Sequence, residues 1–146
     1  MPKRNISFIA LLAALSVVAG ALLSQITFVG RVGMNMFYSQ YNFLKIWWQG
    51  AILVFIIWLL VFVAHSLIQG RVSKASALAA NLISLMLAIG GLYFTYSDFR
   101  HDLSHRLMGE RFHIGAYLFW LGWIGISIFF LAQKSSRKLI VSGKTD

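Results

Sequence analysis

The sequence predicts an all-α integral membrane protein: a four-transmembrane-helix bundle with a short amphipathic helix in the second outer loop. Three observations carry this expectation. Hydrophobic residues make up 59% of the 146 and charged residues 12%, against about 45–50% and about 25% in a soluble domain. A soluble chain of this size leaves too much of its surface wet to bury so much apolar area. Four apolar runs also approach or exceed the roughly 20 residues that a helix needs to cross a hydrocarbon core. Finally, none of these runs contains Lys, Arg, Asp or Glu.

The runs are residues 6–29, 46–68, 75–96 and 114–132, in a single membrane domain spanning 1–146, with a cytoplasmic tail over 133–146. They are continuously apolar and do not alternate, which excludes a transmembrane barrel. Backbone in lipid must satisfy its own hydrogen bonds, so each run is expected to be helical. The only proline is Pro2, so no run has a proline kink. The first run resembles a secretory signal: Lys3 and Arg4 precede an apolar stretch and then Ala19-Gly20-Ala21. The apolar run continues through Leu22, Leu23, Ile26, Phe28 and Val29, and this extension favours a retained span.

Basic residues set the expected orientation. Lys3, Arg4, Arg71, Lys74, Lys134, Arg137, Lys138 and Lys144 fall on one side; Arg31, Lys45, Arg100, Arg106 and Arg111 fall on the other. The positive-inside rule places both termini in the cytoplasm, and a bacterial inner membrane is the simplest location. Trp47 and Trp48 open the second run, and Tyr93, Phe94 and Tyr96 close the third, which places both clusters at the outer interface. Trp58, Trp120 and Trp123 lie deeper. The net charge of +9 belongs to topology and lipid contact, and nucleic acid is not an expected partner. The absence of cysteine excludes a disulfide scaffold and thiolate chemistry.

Apolar burial does not drive helices together in lipid, so small residues that permit close approach mark packing faces. In the third run Ala77, Asn81, Ser84, Ala88, Gly91 and Thr95 share one helical face, which we read as the bundle interior. Gly115, Gly122 and Gly125 offer a related pattern in the fourth run. Ala10, Ala14, Ala21 and Ser24 do so in the first.

The second outer connection carries the candidates for chemistry. Ser97 is placed to cap a short helix and Gly109 to end it. Phe99, Leu103 and Leu107 form an apolar stripe suited to the membrane surface or a partner. His101 and His105 stand four apart, with Asp98 and Asp102 beside them and His113 further on. Two His at this spacing can reach one zinc, with a carboxylate or His113 as a further ligand. The motif lacks the Glu found inside the zinc-protease sequence, and the same residues also read as a solvated or partner-binding face. His65 is the only ionisable side chain inside a run. It is a candidate for haem ligation or proton relay, against a neutral His bonded to Ser or Asn81. The first outer connection, with Phe37, Tyr38 and Tyr41, is too apolar to stand in water and suits a contact with another membrane protein.

The leading functional expectation is a non-enzymatic accessory, assembly or inhibitory partner of another membrane protein, working in the lipid bilayer, or a self-associating oligomer. No cofactor is expected in that case. The alternatives are a metal-, haem- or quinone-linked redox or catalytic subunit, with zinc or haem as its cofactor, and a small oligomeric transporter. Uninterrupted helices weaken the transporter reading.

Overall fold

The structure is a computed structural model that describes residues 3–25, 46–101 and 109–142, except for the side chains of 101 and 134–142. Every element in these segments is helical: α1 (Lys3–Ser24), α2 (Trp47–Arg71), α3 (Lys74–His101) and α4 (Glu110–Ser142). All four are long and apolar enough to cross a membrane. Each contains most of the apolar run expected there. The first ends at Ser24, and residues 26–29 lie outside the described segments.

Helix α4 is the hub of the bundle. It packs along α1, α2 and α3, while α1 also packs closely on α2, and α2 touches α3 more lightly. Cross-helix contacts fix the directions. Gln133 Nε2 donates to Asn5 Oδ1 at 2.8 Å, joining the start of α1 to the far part of α4. Gln69 Nε2 donates to the Phe130 carbonyl at 2.9 Å, so α2 runs parallel to α4. Ser84 meets Ser127 near the middle, while Phe99 meets Phe112 near the start of α4, so α3 is antiparallel to α4.

The buried core is a column of Leu12, Ala19, Leu23, Val54, Trp58, Phe62, Ile126 and Phe130. Aromatic rings extend it: Phe8 lies on Phe129 with centroids 4.0 Å apart and planes 8° from parallel. The exposed residues are equally apolar, among them Ile6, Ile52, Leu60, Met86 and Ile128. This arrangement is the reverse of a soluble bundle's polar surface and suits hydrocarbon surroundings.

Two expectations need correction. Ala10 and Ala14 are exposed, so the Ala10–Ala14–Ala21–Ser24 series is not the inward face of α1. The inward face instead carries Leu12, Ser16, Ala19, Gly20 and Leu23. Gly20 explains this rotation, because a methyl group there would lie 2.6 Å from the Trp47 carbonyl oxygen and 2.6 Å from Ala51 Cα. The close crossing of α1 on α2 therefore turns on Gly20. Ser97 also does not begin a separate helix, since α3 continues through it to His101. No glycine or proline interrupts this stretch, and burial of Phe99 against Phe112, His113 and Tyr117 rewards its continuation.

Gly109 sits immediately before α4 with φ at 96°. It serves the entry to α4, and a side chain in this left-handed conformation costs roughly 1–2 kcal/mol.

Gly20 and Gly70 provide a matched test of the α1–α2 crossing, because a methyl group at Gly70 meets nothing within 4 Å among the described residues beyond its own helix backbone. Gly20→Ala is expected to lower thermal stability in detergent by about 1–3 kcal/mol through overpacking. Gly70→Ala is expected to be neutral or slightly stabilising, given the helix preference of Ala over Gly. Thermal unfolding of the two variants side by side checks this, and equal effects would contradict the crossing.

Candidate functional site

The third helix brings together the most distinctive surface of the molecule. Its inner face carries Ala77, Asn81 and Ala88, all buried, with Ser84, Gly91 and Thr95 half-buried. These residues meet α4 through indole groups. Trp123 Nε1 donates to Ser84 Oγ at 2.9 Å, and Trp120 Nε1 donates to Thr95 Oγ1 at 2.9 Å. Ser84 Oγ also lies 3.3 Å from Ser127 Oγ. Each small hydroxyl residue thus leaves room for a large α4 side chain and supplies its hydrogen-bond partner. Gly91 lies under the Trp120 ring, which a Cβ there would strike.

The rest of α3 is open. Of the four helices it is the least covered by its neighbours. Met86, Tyr93 and Phe94 are each more than 70% exposed. A groove of about 560 Å³ is lined by Ile83, Met86, Leu87, Gly90, Gly91 and Phe94 of α3 with Trp120 of α4. A second groove, of about 440 Å³, lies on the other flank between Ile89, Leu92, Tyr93 and Tyr96 of α3 and Tyr117 and Leu121 of α4. In the first groove Ile83, Leu87, Gly90 and Phe94 recur at spacings of four, three and four, which places them on one helical face. Beyond its own helix backbone, no atom of the described residues stands within 4 Å of where a Gly90 side chain would begin. This second stripe was missed in the sequence, although the same spacing rule that found the inner stripe also finds it.

The histidines and acids expected to gather between α3 and α4 are only partly within the described residues. Asp98 is half-buried on α3. His113 is half-buried on α4, with its ring stacked on Phe99 at 4.3 Å and 19°. The His101 side chain, Asp102, Leu103, His105 and Leu107 lie outside the described residues, as do Phe37, Tyr38 and Tyr41. Among the described residues, no three His, Cys, Asp or Glu side chains converge as a metal would require. Phe99, expected on an outward apolar stripe, instead packs inward against Phe112 and Tyr117, because α3 continues past Ser97.

His65 is buried on α2 and faces α4, where its ring stacks on Phe130 at 5.5 Å. Its Nδ1 lies 2.8 Å from the Val61 carbonyl oxygen. The expected bond to Ser or Asn81 is therefore replaced at this nitrogen by a bond one turn back along the same helix. Neither His65 Nε2 nor the Asn81 carboxamide finds a hydrogen-bond partner among the described residues.

The two glycines of α3 separate its packed face from its open one. Gly91→Leu is expected to lower the detergent melting temperature by several degrees, because the new side chain must displace Trp120 and its bond to Thr95. Gly90→Leu is expected to leave the stability within about 0.5 kcal/mol of the parent, as surface substitutions do. A melt of both variants checks the assignment, which equal losses would contradict.

No protein-family model, curated protein or solved structure matches the chain.

Proposed function

We propose that this is an integral membrane protein that acts without chemistry of its own, by docking a transmembrane helix of another membrane protein against α3. The carrying observation is Gly90, which lies open in an apolar groove among Ile83, Leu87 and Phe94. Helices associate in lipid through small residues that admit a close neighbour. Here such a residue faces away from the bundle, with large apolar side chains before and after it at knobs-into-holes spacing. A glycine in a membrane helix gives up packing at its own position. That loss is recovered only where another chain, or the same chain elsewhere, approaches it. Gly91, Gly20 and Gly122 have such neighbours within the molecule, whereas Gly70, Gly90 and Gly125 have none among the described residues. Of these three it is Gly90 that lines the apolar groove, where an incoming helix would provide one.

The occupant is a helix of an accessory client or assembly partner, with a bacterial inner membrane as the setting. Both termini lie in the cytoplasm, as the distribution of basic residues supports. The exposed rings of Tyr93, Phe94 and Tyr96 then stand at the outer interface.

Two measurements test the reading. A photo-crosslinking residue at Leu87, in intact membranes, is expected to give one discrete protein adduct that disappears in Gly90→Leu. The same probe at Ile56, on the exposed face of α2, is expected to give only lipid adducts. Lipid-only adducts at both positions would contradict docking on α3. For orientation, a reporter fused after Asp146 is expected to behave as cytoplasmic and one inserted near Gly109 as periplasmic; the opposite pattern would reverse every side assigned above.

A further inference from the structure

We infer that His65 and Asn81 together hold a single water molecule inside the bundle, a site separate from the α3 groove. Three polar atoms require explanation: His65 Nε2 and both ends of the Asn81 carboxamide are buried without a hydrogen-bond partner among the described residues. Asn81 has no exposed surface and His65 only 5%. Such groups are costly in a low-dielectric interior unless something satisfies them.

The hairpin brings the two residues to one level. His65 lies six residues before the end of α2, and Asn81 lies seven after the start of α3. At about 1.5 Å per residue, both stand about 9–11 Å in from the turn. Contacts with α4 give the same level independently. His65 stacks on Phe130. Asn81 lies one turn beyond Ser84, whose Oγ is 3.3 Å from Ser127 Oγ, which puts it opposite the next turn of α4, where Phe130 lies. Both residues are therefore buried at the level of the same turn of α4.

Their chemistry is complementary. A neutral His65 that donates from Nδ1 to the Val61 carbonyl, 2.8 Å away, leaves a lone pair on Nε2. The Asn81 carboxamide offers a donor and an acceptor. They form no direct bond with each other, but one water can donate to Nε2 while accepting from Asn81 Nδ2 or donating to Oδ1, which accounts for two of the three atoms. Two or more polar partners are what a buried water requires. The bridge would tie α2 to α3, the pair of neighbouring helices with the lighter direct contact.

The test combines a mutant cycle with a spectroscopic reading of the parent protein in detergent. His65→Phe keeps the stack on Phe130, and Asn81→Leu keeps the volume. Each alone leaves the other polar group unsatisfied, whereas the double variant removes both. The melting temperature of the double variant is expected to fall by clearly less than the sum of the single losses. A loss equal to or above that sum would overturn the pairing. In histidine-labelled protein, His65 is expected to show the Nδ1–H tautomer. Its ring proton beside Nε2 is expected to show a through-space contact to water that Asn81→Leu abolishes. A protonated Nε2 in the neutral ring, or no contact to water, would overturn the site even where the single variants fail to fold.

Discussion

Trp58 has no exposed surface, and its ring occupies the space that a side chain at position 122 would need. Its Nε1 donates to the Phe119 carbonyl at 3.0 Å. Helices in lipid gain nothing from hiding apolar surface from one another, so contact area and hydrogen bonds must hold them. Both are concentrated here, where the indole of α2 lies against the backbone of α4. Only glycine admits this arrangement, and the position of α4 follows from it. Above and below Trp58 the column continues through Val54, Phe62 and Phe130. Across the column, Gly115 receives Leu22 and Leu23 of α1.

The same device recurs on the other side of α4 with the roles exchanged. There the indoles belong to α4 and the small partners to α3. Trp120 and Trp123 stack at 5.8 Å and 20° and send their N–H groups to Thr95 and Ser84. Interhelical bonds of this kind average only about 0.6 kcal/mol in membranes. Their larger effect is on register, because an indole N–H that misses its partner is left unsatisfied in hydrocarbon. Small residues on α3 thus serve two opposite purposes. Gly91 is filled by Trp120, whereas Gly90, one residue along, faces the open groove. A bundle held mainly from one side of α3 leaves that helix's remaining surface available for a neighbour.

The four helices were legible in the sequence because length and apolarity alone decide whether a segment can cross hydrocarbon. Which way each helix turns was legible only where polarity varied. In α3, Asn81, Ser84 and Thr95 break the apolar run, and the face they mark with Ala77, Ala88 and Gly91 lies buried or half-buried. In α1 the small residues Ala10, Ala14, Ala21 and Ser24 marked one face, yet the buried face carries Leu12, Ser16, Ala19 and Gly20. The decision rested on Gly20 meeting Ala51, a contact between distant parts of the chain that spacing cannot show. Phe99 was misplaced for a related reason. Ser97 and Asp98 look like a helix start, yet burial against Phe112 and Tyr117 carries α3 past them. The open groove was missed because an apolar stripe in a membrane helix looks the same whether it meets lipid or protein.

The chain contains no cysteine, so the docking of α3 on α4 can be read directly by introducing a pair. Ser84 Oγ and Ser127 Oγ are 3.3 Å apart on buried or half-buried faces, within the range that a disulfide can close after small rotations. The double substitution Ser84→Cys with Ser127→Cys should form an intramolecular disulfide rapidly under mild oxidation. Met86→Cys paired with Ser127→Cys should not, because Met86 faces outward. Cross-linking of the Met86 pair with none at Ser84 would contradict the register on which both the packed and the open faces of α3 depend.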